Sequence, residues 1–166
     1  MALKSRALIH RTLDGMNSIH PGARIGHVHL HVVDLQRAVS FYRDVLGFQL
    51  TGQIGDQLGF LSAGGYHHHV GLNTFTGAPG LYHAAIKYPT REALAQALKR
   101  VLEQGHAISH GSDHGANEAV YLTDPDGNGL ELYWDRPRAQ WPRTATGELA
   151  LVNLPLDLDQ LLDQAV

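Results

Sequence analysis

Twice along this 166-residue chain an alternating aliphatic segment runs into a capped amphipathic segment, stops at glycine and is followed by further short strands. In the first pass, residues 25 to 33 alternate and read as a strand, and Asp34 stands where a helix cap belongs. Leu35, Ala38, Val39, Tyr42, Val45 and Leu46 then recur at helical spacing up to Gly47. Strands are expected at residues 48 to 54, 57 to 62 and 67 to 75. The second pass opens after Pro79-Gly80 with a strand over residues 81 to 87. A helix capped by Thr90 follows, burying Leu94, Leu98, Val101 and Leu102 and ending at Gly105. Strands around Ala107, over residues 119 to 123 and over residues 129 to 134 complete it. The doubled order predicts an α+β fold of two βαβββ modules, about residues 25–76 and 80–135, whose curved mixed sheets close around a common cleft. Residues 1–24 read as an N-terminal arm and 136–166 as a C-terminal extension with a short helix within residues 154 to 162.

The formal charge of −3 is mild and scattered, so nothing marks the chain for nucleic acid or an anionic membrane. The first twenty residues lack the apolar run of a secretory signal, and no stretch reaches membrane-spanning length. With no cysteine there is neither disulfide nor thiolate chemistry, and a cytoplasmic location is expected. Histidine, by contrast, is abundant at 12 residues, which raises metal binding or proton transfer as well as plain surface use.

Position separates these uses. His27, His29 and His31 alternate along one strand, so one face carries imidazoles while Val28, Leu30 and Val32 occupy the other; an exposed polar face is the plain alternative. In His67-His68-His69, strand geometry sends His67 and His69 to one side and His68 to the other. His83 sits in an otherwise apolar strand, where a satisfied core histidine is the common case. Glu131 stands inside Leu130-Glu131-Leu132-Tyr133, and a carboxylate there is costly unless it is paired or coordinated. Imidazoles and a carboxylate on strands of two repeated modules form a ligand set for a mononuclear metal with open positions. No phosphate-cradling glycine loop, Walker lysine or serine elbow is present.

The segment Ile25-Gly26-His27-Val28-His29-Leu30, followed by Asp34-Leu35 and by Phe41-Tyr42-Arg43-Asp44-Val45-Leu46-Gly47-Phe48, resembles the opening of the vicinal oxygen chelate superfamily. That family includes glyoxalases, extradiol dioxygenases and antibiotic-resistance proteins. The resemblance extends to Trp134, and Asp124-Pro125-Asp126-Gly127-Asn128-Gly129-Leu130-Glu131 is among its most recognisable parts. It implies a metal-binding cleft with His27, His83 and Glu131 as ligands. Val120-Tyr121 with Asp124-Pro125 and Glu131 resembles the extradiol dioxygenase signature, which implies that His114 and Tyr121 assist catalysis; Ser112, two residues before His114, departs from the pattern. The His68-His69 pair resembles the double histidine of extradiol enzymes. Alignment favours His69 for proton transfer, and a one-residue shift would select His68.

The implied activity is extradiol cleavage of a catechol-like aromatic substrate by O2 at Fe(II), with Mn(II), Ni(II) or Zn(II) as other metals, in a protein that pairs as a homodimer. A glyoxalase-like lyase or isomerase is the alternative. It would call for a carboxylate ligand on the first module's last strand, which offers His67, His69, Gly71 and Asn73. A non-catalytic drug-binding protein is the third reading, against which the complete triad argues.

Overall fold

A computed structural model describes residues 18–165. Of the expected N-terminal arm, residues 1–17 lie outside the described part; Pro21-Gly22 forms a turn closed by the Ala23 amide on the His20 carbonyl. The first module comprises β1 (Arg24–His31), α1 (Leu35–Ser40), β2 (Gln49–Ile54), β3 (Leu58–Ser62) and β4 (Val70–Asn73). The second comprises β5 (Gly80–Tyr88), α2 (Arg91–Glu103), β6 (His110–Asp113), β7 (Asn117–Thr123) and β8 (Gly129–Asp135). A short strand β9 (Leu154–Pro155) and a helix α3 (Leu158–Leu162) follow.

The strands form one curled, mixed sheet in the order β2-β3-β4-β1-β5-β8-β7-β6-β9. Each module contributes four strands in mirrored order: β1 pairs in parallel with β4, β5 pairs in parallel with β8, and the antiparallel β1–β5 ladder joins the halves. The two sheets expected from the repeat are thus one sheet continuous through β1 and β5.

The module helices α1 and α2 cover the outer face. Asp34 caps α1 by accepting the Arg37 amide, and Leu35 and Val39 bury against Leu61, Val70 and Leu72, with Val28, Leu30 and Val32 packed alongside. Thr90 caps α2 in the same way at Ala93, and Leu94 and Leu98 are fully buried with Val120, Leu132 and Leu161. The alternation of β1 is therefore literal: its aliphatic side meets α1, and the histidine side faces inward.

Several local expectations fail for identifiable reasons. The first helix does not continue regularly to Gly47. At Phe41–Val45 it widens into a π-helical turn, with the Leu46 amide reaching the Phe41 carbonyl, and Val45 and Leu46 turn out to solvent. Leu102 is also exposed, leaving Val101 as the last core-facing position of α2. The strand expected around Ala107 forms at His110–Asp113, where it pairs with β7. The strand expected over residues 67 to 75 shrinks to Val70–Asn73, so His67 and His68 precede it. Of the terminal helix, Leu154–Pro155 instead pairs with β6.

Candidate metal centre

Three adjacent strands build the centre. β5 lies between β1 and β8, and the registers His27↔Ala85 and Ala85↔Glu131 set His27 and Glu131 on either side of the small Ala85 side chain. His83 stands two residues earlier on β5, on the same face, opposite His29. One ligand atom each from His27, His83 and Glu131 lie within 4.8 Å of one another, and all three residues are buried. His27 Nε2 is 3.1 Å and His83 Nε2 is 2.9 Å from the same Glu131 oxygen, Oε2.

This convergence fits a cation. His83 Nε2, although close to Glu131, makes no hydrogen bond of acceptable direction, and a buried ring nitrogen left without one is costly. Two imidazole nitrogens and a carboxylate oxygen aimed at one point, with other directions open, match the donor set of non-haem iron and its neighbours in the first transition row. Burial pushes the Glu131 carboxyl up, but the imidazoles of His27 and His83 together outweigh that and hold it well below the usual carboxylate range. The carboxylate is therefore anionic at neutral pH, as a ligand must be.

The centre opens into a cavity along the concave face, walled by Ile54, Leu58, Phe60, Phe75 and Tyr82 on one side and by His110, Tyr121, Leu151 and Val152 on the other. Gly71 makes room for His29: a Cβ there would lie 2.8 Å from the ring. The buried His29 Nε2 atom has no hydrogen-bond partner among the described residues, and burial, then the neighbouring His83 and His27, push its pKa down to about 3.

His114 and Tyr121, both expected near the site, line the cavity together, with His114 Nε2 2.9 Å from the Tyr121 hydroxyl. His114 Nδ1 lies 3.1 Å from the Val152 carbonyl, which only accepts, so Nδ1 carries a proton. Burial, with Glu131 close by, holds the Tyr121 phenol protonated.

His69 is elsewhere. Its Nδ1 accepts the Ala63 amide and meets the Ser62 hydroxyl, and the ring is absent from the cavity wall. His68 occupies the position expected of His69, with its ring 4.2 Å from that of His27. Strict alternation fails because the strand begins only at Val70. The His69 backbone already bonds Leu61 and Val28, whereas His67 and His68 lie in the turn before it and both face the cavity.

Other residues of the site were not singled out from the sequence. His110 stacks on Tyr121 at 4.5 Å and 12°, a contact that follows from their register but required the position of β6. Asp135 accepts from His67 and pairs with Lys87. Leu151, Val152 and Asn153 return from the C-terminal extension to close one wall; nothing in their own sequence announces this.

The sequence profile of the Glyoxalase/Bleomycin resistance protein/Dioxygenase superfamily matches residues 24–132. Among characterised relatives, the catechol-2,3-dioxygenase of Bacillus subtilis (strain 168) is 40% identical over 158 residues, 90% of this chain and 55% of that protein. A manganese-dependent 2,3-dihydroxybiphenyl 1,2-dioxygenase of Geobacillus genomosp. 3 is 29% identical over 70% of this chain and 39% of its own length. Among solved structures, the Mn(II)-bound glyoxalase from Novosphingobium aromaticivorans superposes with a TM-score of 0.62 and 29% identity, over 67% of this chain and 37% of that one. The chain thus spans about half the length of these relatives or less. From its profile match, its nine-stranded half-barrel and the position of its triad, the chain belongs to the Glyoxalase/Bleomycin resistance protein/Dioxygenase superfamily.

Proposed function

We propose that the protein is an extradiol dioxygenase, opening the ring of a catechol-like substrate with O2 at Fe(II) or Mn(II). The observation that carries this reading is the His27, His83 and Glu131 triad at the end of a cavity that also presents His68 and Tyr121. The names of the relatives, one a catechol-2,3-dioxygenase and another a manganese-dependent ring-cleaving enzyme, point the same way.

His27, His83 and Glu131 would hold the metal, which when bound supplies the Lewis-acid and electron-transfer chemistry that brings O2 and catechol to react. The protein's own groups manage protons and orientation. His68 takes a phenolic proton from the substrate at Nε2 and returns it later, in place of His69, a role worth on the order of 100-fold to 10,000-fold in rate. Tyr121, held 2.9 Å from His114 Nε2 and close to Glu131, presents its hydroxyl to a substrate oxygen. Ile54, Leu58, Phe60, Phe75 and Val152 exclude water from the ring.

The wall composition also narrows the substrate. No lysine or arginine lines the cavity among the described residues, so a carboxylate substituent would find no cationic partner. The reading is for an uncharged catechol with an apolar substituent.

Anaerobic purification, metal removal and reconstitution with Fe(II), Mn(II), Ni(II) or Zn(II), followed by oxygen uptake with catechols, tests this. Uptake supported by Fe(II) or Mn(II) and abolished in Glu131→Ala is expected. Tight Ni(II) or Zn(II) binding with no oxygen uptake from any catechol would move the protein to the glyoxalase-like lyases. Absence of metal binding would reject the centre itself.

A further inference from the structure

Behind His68 runs a buried chain of polar groups that leads away from the metal centre and has no part in ligating it. His68 Nδ1 lies 2.7 Å from His67 Nδ1, His67 Nε2 lies 3.0 Å from Asp135 Oδ1, and Asp135 Oδ2 is bonded by Lys87 Nζ. His67 and His68 are 2% and 6% exposed, so no water competes freely for these contacts. Lys87 also sits 4.9 Å over the Tyr66 ring, whose hydroxyl is 2.7 Å from that of Tyr133. Gly26 leaves the space for Tyr133, since a Cβ there would fall 1.7 Å from its hydroxyl oxygen.

We infer that Asp135 and His67 are positioning residues that fix His68 as the Nδ1–H tautomer, leaving the lone pair of its Nε2 toward the cavity. The assignment follows from counting donors and acceptors along the chain. Asp135, ionised beside Lys87, can only accept, so His67 Nε2 carries a proton. Lys87 already balances the carboxylate, so a second cation on the buried His67 would stand uncompensated. Burial accordingly pushes the His67 pKa down despite the pull of Asp135. Neutral His67 therefore presents a lone pair at Nδ1. The 2.7 Å approach of two ring nitrogens requires one proton between them, and only His68 Nδ1 can supply it. His68 Nε2 has no protein hydrogen-bond partner among the described residues, and its ring forms part of the cavity wall.

The arrangement orients an imidazole through an acceptor on its far nitrogen, extended here by one further histidine. Its use in catalysis rests on the ring-cleavage reading, in which His68 Nε2 receives the phenolic proton; the tautomer itself does not depend on that reading.

Long-range 1H–15N correlation of 15N-histidine protein without metal, at pH 7.5, reads the tautomer directly. His68, assigned by its loss in His68→Gln, should show a protonated Nδ1 and an unprotonated Nε2. Asp135→Leu removes the terminal acceptor, and His67→Phe keeps a ring of similar size with the Asp135–Lys87 pair intact. In either folded variant the His68 signals should move toward a protonated Nε2, whereas Asp135→Asn, which keeps an acceptor oxygen, should retain the wild-type pattern. Wild-type His68 found protonated at Nε2, or unchanged in both disrupting variants, overturns the inference. With Fe(II) restored, His67→Phe should lower kcat on catechol at least tenfold with KM and iron content little changed. Oxygen uptake absent in wild type would reject the ring-cleavage reading while leaving the spectroscopic result to stand or fall on its own.

Discussion

His27 and Glu131, 104 residues apart in the chain, meet at 3.1 Å through His27 Nε2 and Glu131 Oε2, because the antiparallel β1–β5 ladder brings the first module against the second. The metal centre is therefore also a clasp between the two halves. Glu131→Ala should drop bound metal to near zero and remove the response of thermal stability to chelators. Wild-type protein, by contrast, should lose about 2.7 kcal/mol when metal is withdrawn from 100 times its dissociation constant. Metal analysis with melting curves before and after dialysis against chelator checks both. A Glu131→Ala protein that keeps full metal occupancy would remove Glu131 from the ligand set.

The two neighbouring histidines should separate cleanly. His68→Ala is expected to lower kcat by on the order of 100-fold or more with metal still bound. His69→Ala, which loses contacts to Ser62, Ala63 and the Tyr66 ring, should stay within a few-fold of wild type. Steady-state kinetics on one catechol, with metal content measured for each variant, decides between them. The opposite ranking would restore the role to His69.

How much of this was readable in the sequence depends on whether a residue's neighbours were set by local period or by distant packing. That His27, His29 and His31 share one face of β1 follows from alternation, but that this face points inward does not; Glu131 stands out as a charge among aliphatics that needs pairing or coordination, and its place beside His27 and His83 is implied by the family resemblance. Alternation does not describe His67–His69, because period-two reasoning holds only inside a strand and β4 starts at Val70; the one-residue shift the double histidine allows brings His68 to the cavity. Asp135 closes the buried chain from the end of β8, where its sequence context resembles any strand-terminal acid. Its partners Lys87 and His67 come from two other segments that only the sheet order brings together.

Stability should fall with acid earlier than carboxylate titration would cause. His29 and His68 are buried, and desolvation is the largest influence lowering both: His29 to about 3, and His68 well below its ordinary value of 6.5. The folded-state pKa lies below the unfolded one, so the unfolded chain binds protons that the folded protein does not. Their stabilising contribution is then complete above about pH 6.5 and declines as pH drops below it, by up to about 1.4 kcal/mol per pH unit for each group. Urea midpoints at pH 7.5, 6.0 and 5.0 should decrease steadily in metal-free protein, and His29→Asn should show a shallower slope. A midpoint constant over that range would contradict the burial of these rings as neutral species.

Charge selection at the cavity gives a further test. With no lysine or arginine among the described lining residues and Ile54, Leu58, Phe60, Phe75 and Val152 in the wall, 3-methylcatechol should be used at least tenfold better, by kcat/KM, than 3,4-dihydroxybenzoate. A hydrophobic pocket gains about 0.8 kcal/mol from a buried methylene, whereas an unpaired carboxylate loses several times that on desolvation. Equal use of the two would contradict charge selection by this wall.

The C-terminal extension should set the upper size of the substrate. Its Val152 is anchored twice to His114, by its amide on the His114 carbonyl and by its carbonyl on His114 Nδ1, and its neighbours Leu151 and Asn153 complete the wall. Beside this segment Pro142 packs over Gly115, and the Trp141 indole donates to the Arg136 carbonyl, so the wall has a fixed base and does not hang free. Enlarging the side chain at Val152 should therefore intrude on the cavity and leave the backbone in place. Val152→Phe is expected to lower kcat/KM for an aryl-substituted catechol at least tenfold while changing that for unsubstituted catechol only a few-fold, with Tyr121 still oriented by His114. Equal losses on both substrates would show that the substitution displaced the His114 anchor itself, and unchanged kinetics on both would mean that the extension does not bound the substrate.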